Sequence, residues 1–517
     1  MPDNKRADDH LLGDMDAETF RQNGYALVDW IAEYLATSER YPVLSQSKPG
    51  EIRAALPTDP PVKGTSFENI FKDFDDIILP GITHWNHPGF FGYFAISGSA
   101  PGVLAEFLSA ALNVQAMLWR TSPSATELEE VTLSWLRQLL GLPDCYEAVI
   151  YDTASIASLH ALAAARHRAI PDVGTRGLAG RRELGTLRIY ASEQAHSSID
   201  KVAMTLGLGH NAIRKIAVDA EFRLRPDVLQ KTIEADIAKG EIPIAVVATV
   251  GTTSTTSVDP VSAIASICAE KSIWLHVDAA YAGSAALVPD THNILDGCSQ
   301  ADSLVVNPHK WLFTPFDLSA FYCRHMDVVR SAFSLTPDYL QTPEAGKVRN
   351  LMDTGVQLGR RFRALKLWAV IRYFGSDGLR DRLADHMRLA KLFAEWVDAS
   401  KDFERAAPVP LSVVCFRARG NSEDDAETDA LNQQLLERIN TDGEVFLSHT
   451  RLNGRFTLRL AFGHIRTTDK HVRRAWELLV KHRNLTRLVT VPKTPLFSPS
   501  HPPSLFLTAT TPWGKKF

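Results

Sequence analysis

Residues 273–283 read IWLHVDAAYAG, an apolar run that ends in an aspartate followed by small residues. A second apolar run, residues 303–306, is followed directly by Asn307-Pro308-His309-Lys310-Trp311. Short runs rich in β-branched and aromatic residues indicate buried strands. Because ligands bind outside the carboxyl ends of the strands in open parallel sheets, we expect Asp278 and Lys310 to lie at one ligand-binding edge.

Strand-like and helix-like patterns alternate through the middle of the chain. Further runs predicted as strands are residues 148–151, 187–191, 244–250 and 319–323. Helical patterns between the runs are residues 155–168, 225–239 and 261–271. This alternation predicts an α/β fold with a mainly parallel sheet covered by helices on both faces.

The two ends of the chain differ from its middle. Residues 16–36 have helical periodicity and precede a proline-rich stretch that has no core of its own, so this arm should lie on the main domain or on a second subunit. A helical stretch follows Leu358, and then strands at 413–418, 445–448 and 456–461 with a helix at 470–481 predict a smaller α+β domain. The predicted division is 1–95 for the arm, 96–395 for the large domain, 396–485 for the small domain and 486–517 for a proline-rich tail.

Composition excludes several classes of protein. The chain has 517 residues, 45% hydrophobic and 22% charged, which excludes disorder or coiled coil as a description of the whole chain. A net charge of −4 supplies no field for nucleic acid or an anionic membrane, so a small molecule is the expected partner. Five scattered cysteines favour a reducing compartment and disfavour a metal site. The charged N-terminus and the absence of any long apolar run predict a cytoplasmic protein.

The two strand-end residues suggest a specific chemistry. A lysine directly after a buried strand is costly unless it is paired, neutralised or covalently engaged, and pyridoxal phosphate (PLP) is the obvious aldehyde to engage it. Asp278 could pair with the pyridine nitrogen of that ring. Taken singly, Lys310 could reach solvent and Asp278 could cap a helix, but together they could bridge one ring.

Two other segments could complete such a site. Thr153-Ala154-Ser155, at a strand-to-helix junction, could hold a phosphate or could be an ordinary helix cap. The hydroxyl-rich residues 251–256 offer further donors, although a polar turn would look the same. His196 could stack on a flat cofactor and bind a substrate carboxylate, or could be structural.

Four motifs in order resemble those of the group II PLP-dependent decarboxylases, most of all the aromatic-L-amino-acid decarboxylases. They are residues 193–198 (EQAHSS), 276–283 (HVDAAYAG), 307–311 (NPHKW) and 358–363 (LGRRFR). The resemblance extends over about residues 20–481. It implies the aspartate-aminotransferase-like fold type I, with a mostly parallel seven-stranded sheet in the large domain, a small C-terminal α+β domain and an N-terminal helical arm.

The resemblance also implies roles for individual residues. Lys310 would hold the cofactor covalently, Asp278 would pair with its ring nitrogen, and Ala280 and His196 would cover the two ring faces. The phosphate would be held by Ala154, Ser155, Asn307 and His309, with Thr253 beside the ring. The substrate pocket would be lined by Trp85, Tyr93, Phe94, Ile96, Met117 and His196. In these enzymes a homodimer completes the pocket and the arm embraces the partner.

Tyr339 matches the tyrosine of a mobile catalytic loop in the same family. There it protonates the substrate carbon after carbon dioxide leaves, whereas relatives with phenylalanine form aldehydes by oxidative decarboxylation and deamination. A tyrosine that only anchors the loop by packing is the alternative.

The predicted function is PLP-dependent decarboxylation of an aromatic L-amino acid of the tyrosine, dopa, tryptophan, 5-hydroxytryptophan or phenylalanine class to its amine and carbon dioxide. One alternative is an aromatic acetaldehyde synthase, which Tyr339 disfavours. Another is a decarboxylase of a non-aromatic amino acid, which the aromatic pocket disfavours. A catalytically silent PLP-binding protein is the third, which Ile156 makes conceivable. Asp152 and Ile156 both depart from the family pattern beside the phosphate segment, and Ile156 removes a polar partner there.

Overall fold

The computed structural model describes residues 13–335, 343–344, 346–420 and 424–488. Its α-helices in chain order are α1 (Ala17–Thr37), α2 (Glu51–Ala55), α3 (Phe67–Asp73), α4 (Ala100–Leu112), α5 (Pro123–Leu139), α6 (Ala154–Ala169), α7 (Val173–Arg176), α8 (Ser198–Thr205), α9 (Pro226–Ala238), α10 (Val261–Lys271), α11 (Pro308–Trp311), α12 (Met326–Phe333), α13 (Ala364–Ala399), α14 (Asp425–Asp442) and α15 (Asp469–Leu488). Its strands are β1 (Glu147–Tyr151), β2 (Leu187–Ser192), β3 (Ile213–Ile216), β4 (Ile242–Thr249), β5 (Trp274–Asp278), β6 (Ser303–Val306), β7 (Ser319–Cys323), β8 (Phe403–Arg405), β9 (Val413–Ala418), β10 (Ser448–Leu452) and β11 (Arg455–Ala461).

The large sheet has seven strands in the order β1-β7-β6-β5-β4-β2-β3. The pairs from β3 through β6 are parallel, and only β7 runs against its neighbours β6 and β1. Strands β5, β6 and β7 are buried along their whole length, as expected for a sheet covered on both faces. The predicted fold class is confirmed.

Strand β3 of this sheet was not predicted from the sequence. Strand β3 has the sequence IRKI, and its two central residues are charged, with Arg214 partly buried and Lys215 exposed. It is a short edge strand, where a polar face is tolerated because only one side of the strand is paired. Its hydrophobic signal is therefore too weak to separate it from a loop.

The second sheet is antiparallel and has the order β10-β11-β9-β8. The strand predicted at 445–448 begins only at Ser448, because residues 445–447 instead pack as buried loop beside α14. The long helix after Leu358 begins at Ala364 and runs through the predicted boundary at residue 395. The division into domains stays a prediction.

Helix α1 leaves its apolar residues uncovered within the single chain. It has no buried residue, and Phe20 and Tyr25 are exposed. Aromatic contacts of Trp30 and Tyr34 with Phe74 and His84 hold only one side of the helix. The arm therefore presents an apolar face that no part of the described chain buries.

Among the residues that the structure describes, no helix is both long enough and apolar enough to cross a membrane.

Candidate active site

The predicted ligand-binding edge is present at the ends of β5 and β6. Asp278 is the last residue of β5 and lies opposite Val305 in the parallel ladder. Strand β6 ends at Val306, and the short helix α11 then carries Lys310. The backbone N–H of Asn307 donates to the carbonyl of Ala280 at 3.0 Å, which ties the two strand ends together. Asp278 is close enough to Lys310 for its charge to act on the pKa of the lysine.

The amine of Lys310 is in an apolar setting. Its Nζ lies 5.4 Å from the ring centre of Phe94. Burial lowers the pKa of Lys310, the charge of Arg459 lowers it further, and the charge of Asp278 opposes both. A lowered pKa increases the fraction of neutral amine, which is the form that attacks an aldehyde.

His196 is a neutral hydrogen-bond donor beside these two groups. The backbone N–H of Ser198 donates to its Nδ1 at 3.1 Å, so in the neutral ring the proton is on Nε2. Partial desolvation lowers the pKa of His196, and the charge of Asp278 opposes the shift while that of Lys310 adds to it. The ring is exposed on the open side of the site, where a flat ligand could lie against it.

Asn307 and His309 form a pair of donors that lacks an acceptor. The hydroxyl of Ser319 donates to Oδ1 of Asn307 at 2.7 Å, and the N–H of Leu318 donates to Nδ1 of His309 at 2.9 Å. This leaves Nδ2 of Asn307 facing Nε2 of His309 at 3.4 Å, and both atoms carry hydrogen. Burial lowers the pKa of His309 to about 3, so the ring is neutral. Two facing donors need a shared acceptor, and a phosphate oxygen fits.

Helix α6 begins close to this pair. Ala154 and Ser155 supply its first N–H groups, and the Thr153 side chain does not cap them. The start of a helix attracts an anion through these N–H groups and the helix dipole. Ser319 joins the two parts, since its hydroxyl also lies 3.3 Å from the carbonyl oxygen of Asp152. We call Ala154, Ser155, Asn307 and His309 the anion cradle.

Ala280 and Thr253 differ in burial. Ala280 is buried, and its N–H donates to Oδ1 of Asp278 at 3.1 Å, which orients that carboxylate. Thr253 is exposed in the turn that follows β4. The neighbouring Ser254 ties this turn to strand β10 through a 2.8 Å hydrogen bond with Thr450.

The predicted substrate residues, apart from His196, lie in four separate places. Phe94 stacks on Tyr281 with ring centres 3.7 Å apart and forms the apolar wall next to Lys310. Trp85 and Tyr93 stack on each other at 5.7 Å, and Tyr93 is 55% exposed. Ile96 is partly buried two residues beyond Phe94. Met117 packs in a separate cluster with Leu118 and Met352. Tyr339 lies outside the described residues.

Arg459 is a site residue that the sequence reasoning missed. Its side chain is buried. Its Cζ lies 4.7 Å from the centre of the Phe94 ring, which is the same ring that Nζ of Lys310 contacts. Nη1 donates to the carbonyl of Tyr93, and Nε donates to the carbonyl of Ser254 at 3.1 Å. Among the described residues, Nη2 is buried without a hydrogen-bond partner. A buried guanidinium with a free donor can bind a carboxylate.

A mostly parallel seven-stranded sheet, with a lysine, an aspartate and an anion cradle at one edge, defines a PLP enzyme of fold type I. Comparison with known proteins narrows this class. The model of the pyridoxal-dependent decarboxylase conserved domain matches residues 49–419. The chain belongs to this family and is a PLP-dependent amino-acid decarboxylase by class.

This chain is similar to individual relatives over nearly its whole length. It is 39% identical over 479 residues to a phenylacetaldehyde synthase of Arabidopsis thaliana, covering 91% of this chain and 96% of the relative. It is 40% identical over 475 residues to an aromatic-L-amino-acid decarboxylase of Sus scrofa, covering 90% and 96%. The crystal structure of Oryza sativa TDC with PLP and tryptamine is 36% identical, covers 92% of this chain and 99% of that one, and has a TM-score of 0.89. Both amine-forming and aldehyde-forming enzymes are thus similar to this chain.

Proposed function

We propose that this protein decarboxylates an aromatic L-amino acid to its amine and carbon dioxide. The observation that carries the proposal is the setting of Lys310, whose amine faces the ring of Phe94 while Arg459 holds a free donor above the same ring. An aromatic wall and a buried cation fit the two ends of an aromatic amino acid. An aliphatic or acidic side chain would leave the wall of Phe94, Tyr93 and Trp85 without a matching partner.

Each residue has a role that follows from its place. PLP, when bound, supplies a ring that accepts the electron pair released as carbon dioxide leaves. Lys310 would attach to the cofactor's aldehyde and be displaced by the substrate amine. Asp278 would hold the ring nitrogen in its protonated form, and the Ala280 N–H fixes the position of that carboxylate. His196 would cover the exposed ring face and donate from Nε2.

Arg459 would bind the substrate carboxylate through Nη2. Its other two hydrogen bonds, to the carbonyls of Tyr93 and Ser254, fix the guanidinium in place before substrate arrives. A fixed donor loses little freedom on binding, so more of the interaction energy appears as affinity. We propose that the anion cradle holds the phosphate, with Thr253 near the ring.

A panel of amino acids tests the proposed activity. Purified enzyme is incubated with aromatic, acidic and aliphatic L-amino acids while carbon dioxide, amine and hydrogen peroxide are measured together. We expect carbon dioxide and amine in equal amounts from an aromatic substrate, without peroxide. Aldehyde, ammonia and peroxide would instead identify an aldehyde synthase, the alternative that the 39% identity to phenylacetaldehyde synthase favours. No carbon dioxide from any amino acid would identify a silent binder.

Tyr339→Phe tests the residue proposed to decide between the two reactions. If the Tyr339 phenol supplies the proton that completes the amine, its removal should divert turnover towards aldehyde, ammonia and hydrogen peroxide, with dissolved dioxygen as the oxidant and water supplying the aldehyde oxygen. The measurement is the ratio of peroxide to amine in the wild type and the variant. Tyr373→Phe, which alters an exposed tyrosine on α13, is the matched control and should leave the ratio unchanged. An unaltered ratio in Tyr339→Phe would remove this residue from the proton-donor role.

We propose that the enzyme is a homodimer whose arms cover one another's exposed apolar faces. Helices α1 and α4 border a groove of 320 Å³ lined only by apolar residues, including Val28, Ile31 and Leu104. On α4, Leu104, Leu108 and Leu112 are each more than half exposed. Exposed apolar surface of this extent is typical of an interface. We also propose that Met117, which lies apart from Phe94, lines the pocket of the second subunit.

Leu104→Glu tests the dimer. A carboxylate at the proposed interface would be desolvated without a partner, so we expect the mass in solution to fall from twice the 57.2 kDa chain to that of a single chain, with loss of activity. Light scattering after gel filtration gives the mass. Ile237→Glu places the same charge at an exposed apolar residue of α9 and should leave the dimer intact. A wild-type mass of one chain would contradict the proposal.

A cytoplasmic location stays a prediction.

A further inference from the structure

Asp152 places a carboxylate beside the anion cradle. It lies between β1 and α6, and its Oδ1 accepts hydrogen bonds from the N–H and the hydroxyl of Thr153. The amide of Gln357 donates to Oδ2 at 3.4 Å. The backbone of Asp152 is linked to Asn307 through the hydroxyl of Ser319, which lies within 3.3 Å of both. The carboxylate is therefore carried by the residue that lies two positions before Ala154 and whose backbone carbonyl oxygen contacts the same hydroxyl as Asn307.

No cation balances this carboxylate within the part of the chain that the structure describes. Its hydrogen-bond donors there are a backbone N–H, a hydroxyl and an amide, all of them neutral. The arginine and lysine ion pairs of the described residues leave Asp152 out. Within these residues the carboxylate therefore has neutral hydrogen-bond donors and no direct ion pair.

The cradle also lacks a positive charge. Asn307 and the N–H groups of Ala154 and Ser155 are neutral, and burial keeps the His309 ring neutral by lowering its pKa to about 3. A phosphate ester carries a charge of about −1.5 to −2 at neutral pH. Two anions would therefore share one helix start, and Thr153 already gives its hydroxyl hydrogen to Asp152.

We infer that Asp152 weakens the binding of the PLP phosphate, so that the fraction of enzyme loaded with cofactor follows the concentration of free PLP. The inference rests on the proposed cradle. Repulsion between the Asp152 carboxylate and the PLP phosphate is modest in a partly solvated site, but it lowers the affinity for the cofactor whenever the cofactor is bound. Removing the charge of Asp152 should therefore lower the dissociation constant for PLP without adding a new contact.

Asp152→Asn is the direct test, since it removes the charge and keeps an acceptor for Thr153. Full-length enzyme is dialysed against graded PLP or against pyridoxal, which lacks the phosphate, and bound cofactor is measured by absorbance. We expect the dissociation constant for PLP to fall about tenfold in the variant. The constant for pyridoxal should stay unchanged. Asp144→Asn removes an equal charge at the opposite end of β1, where the side chain is 96% exposed, and should alter neither constant.

The outcomes separate this inference from the proposed cradle. If neither the wild-type enzyme nor Asp152→Asn binds PLP more tightly than pyridoxal, the cradle is wrong and the inference falls with it. If wild-type enzyme prefers PLP but Asp152→Asn leaves the PLP constant unchanged, the cradle stands and the role of Asp152 is refuted. Equal tightening of both ligands would also refute it, because the effect would not involve the phosphate. Asp152→Ser, which keeps a short acceptor, gives a second reading if the asparagine variant does not fold.

Discussion

Lys310→Ala should reduce amine production to the background rate. The substitution removes the amine that attaches to the cofactor and later releases the product, and no other described lysine lies at the ends of β5 and β6. Initial rates with the best substrate of the amino-acid panel measure the loss. The absorbance band of the covalently attached cofactor should disappear in the same preparation, and mass analysis should find nothing attached at position 310.

Lys310→Arg is the matched control for charge. It keeps a cation next to Phe94 and Asp278 but cannot form the covalent attachment, so it should be as inactive as the alanine variant. Normal turnover in either variant would overturn the assignment of Lys310. Restored activity in the arginine variant alone would mean that position 310 acts only through its charge.

Asp278 and Lys310 could be predicted from sequence because Asp278 ends one buried strand and Lys310 stands four residues after the end of the next. The rule that ligands bind at the carboxyl ends of parallel strands then places both at one edge without coordinates. The same reasoning located the start of α6, where a turn follows β1. These predictions needed only the order of residues along neighbouring strands, which the apolar runs define.

Other features depend on packing between distant segments, which the sequence does not display. Arg459 is far along the chain from Lys310 and enters the site because β11 packs against the segment around Tyr93. The signal available was a charged residue inside the apolar run 456–461, whose neighbours are all buried. Strand β3 was missed for the opposite reason, because an edge strand needs few apolar residues. The uncovered face of α1 is visible only once the rest of the fold is in place.

Arg459→Gln should weaken binding of the amino-acid substrate and leave binding of the amine product nearly unchanged. The product has lost the carboxylate, so only the substrate would use the free Nη2 donor. Removing one member of a buried charged pair costs about 2–5 kcal/mol, roughly a thirtyfold to several-thousandfold rise in the dissociation constant. The measurement is the affinity of the loaded enzyme for the substrate and for its amine, each determined from inhibition of turnover or from the cofactor spectrum.

A purely structural role for Arg459 predicts a different result. Its bonds to the carbonyls of Tyr93 and Ser254 also join strand β11 to the segments that carry those residues, so the glutamine variant should lower thermal stability. Arg417 is a second buried arginine of the same sheet, paired with Asp429 at 2.9 Å. Arg417→Gln should therefore destabilise the protein while keeping the ratio of substrate to product affinity. Loss of a carboxylate partner can weaken the binding only of the ligand that has a carboxylate. If Arg459→Gln weakens the binding of substrate and of amine product equally, the guanidinium supports the fold and the substrate carboxylate must bind elsewhere.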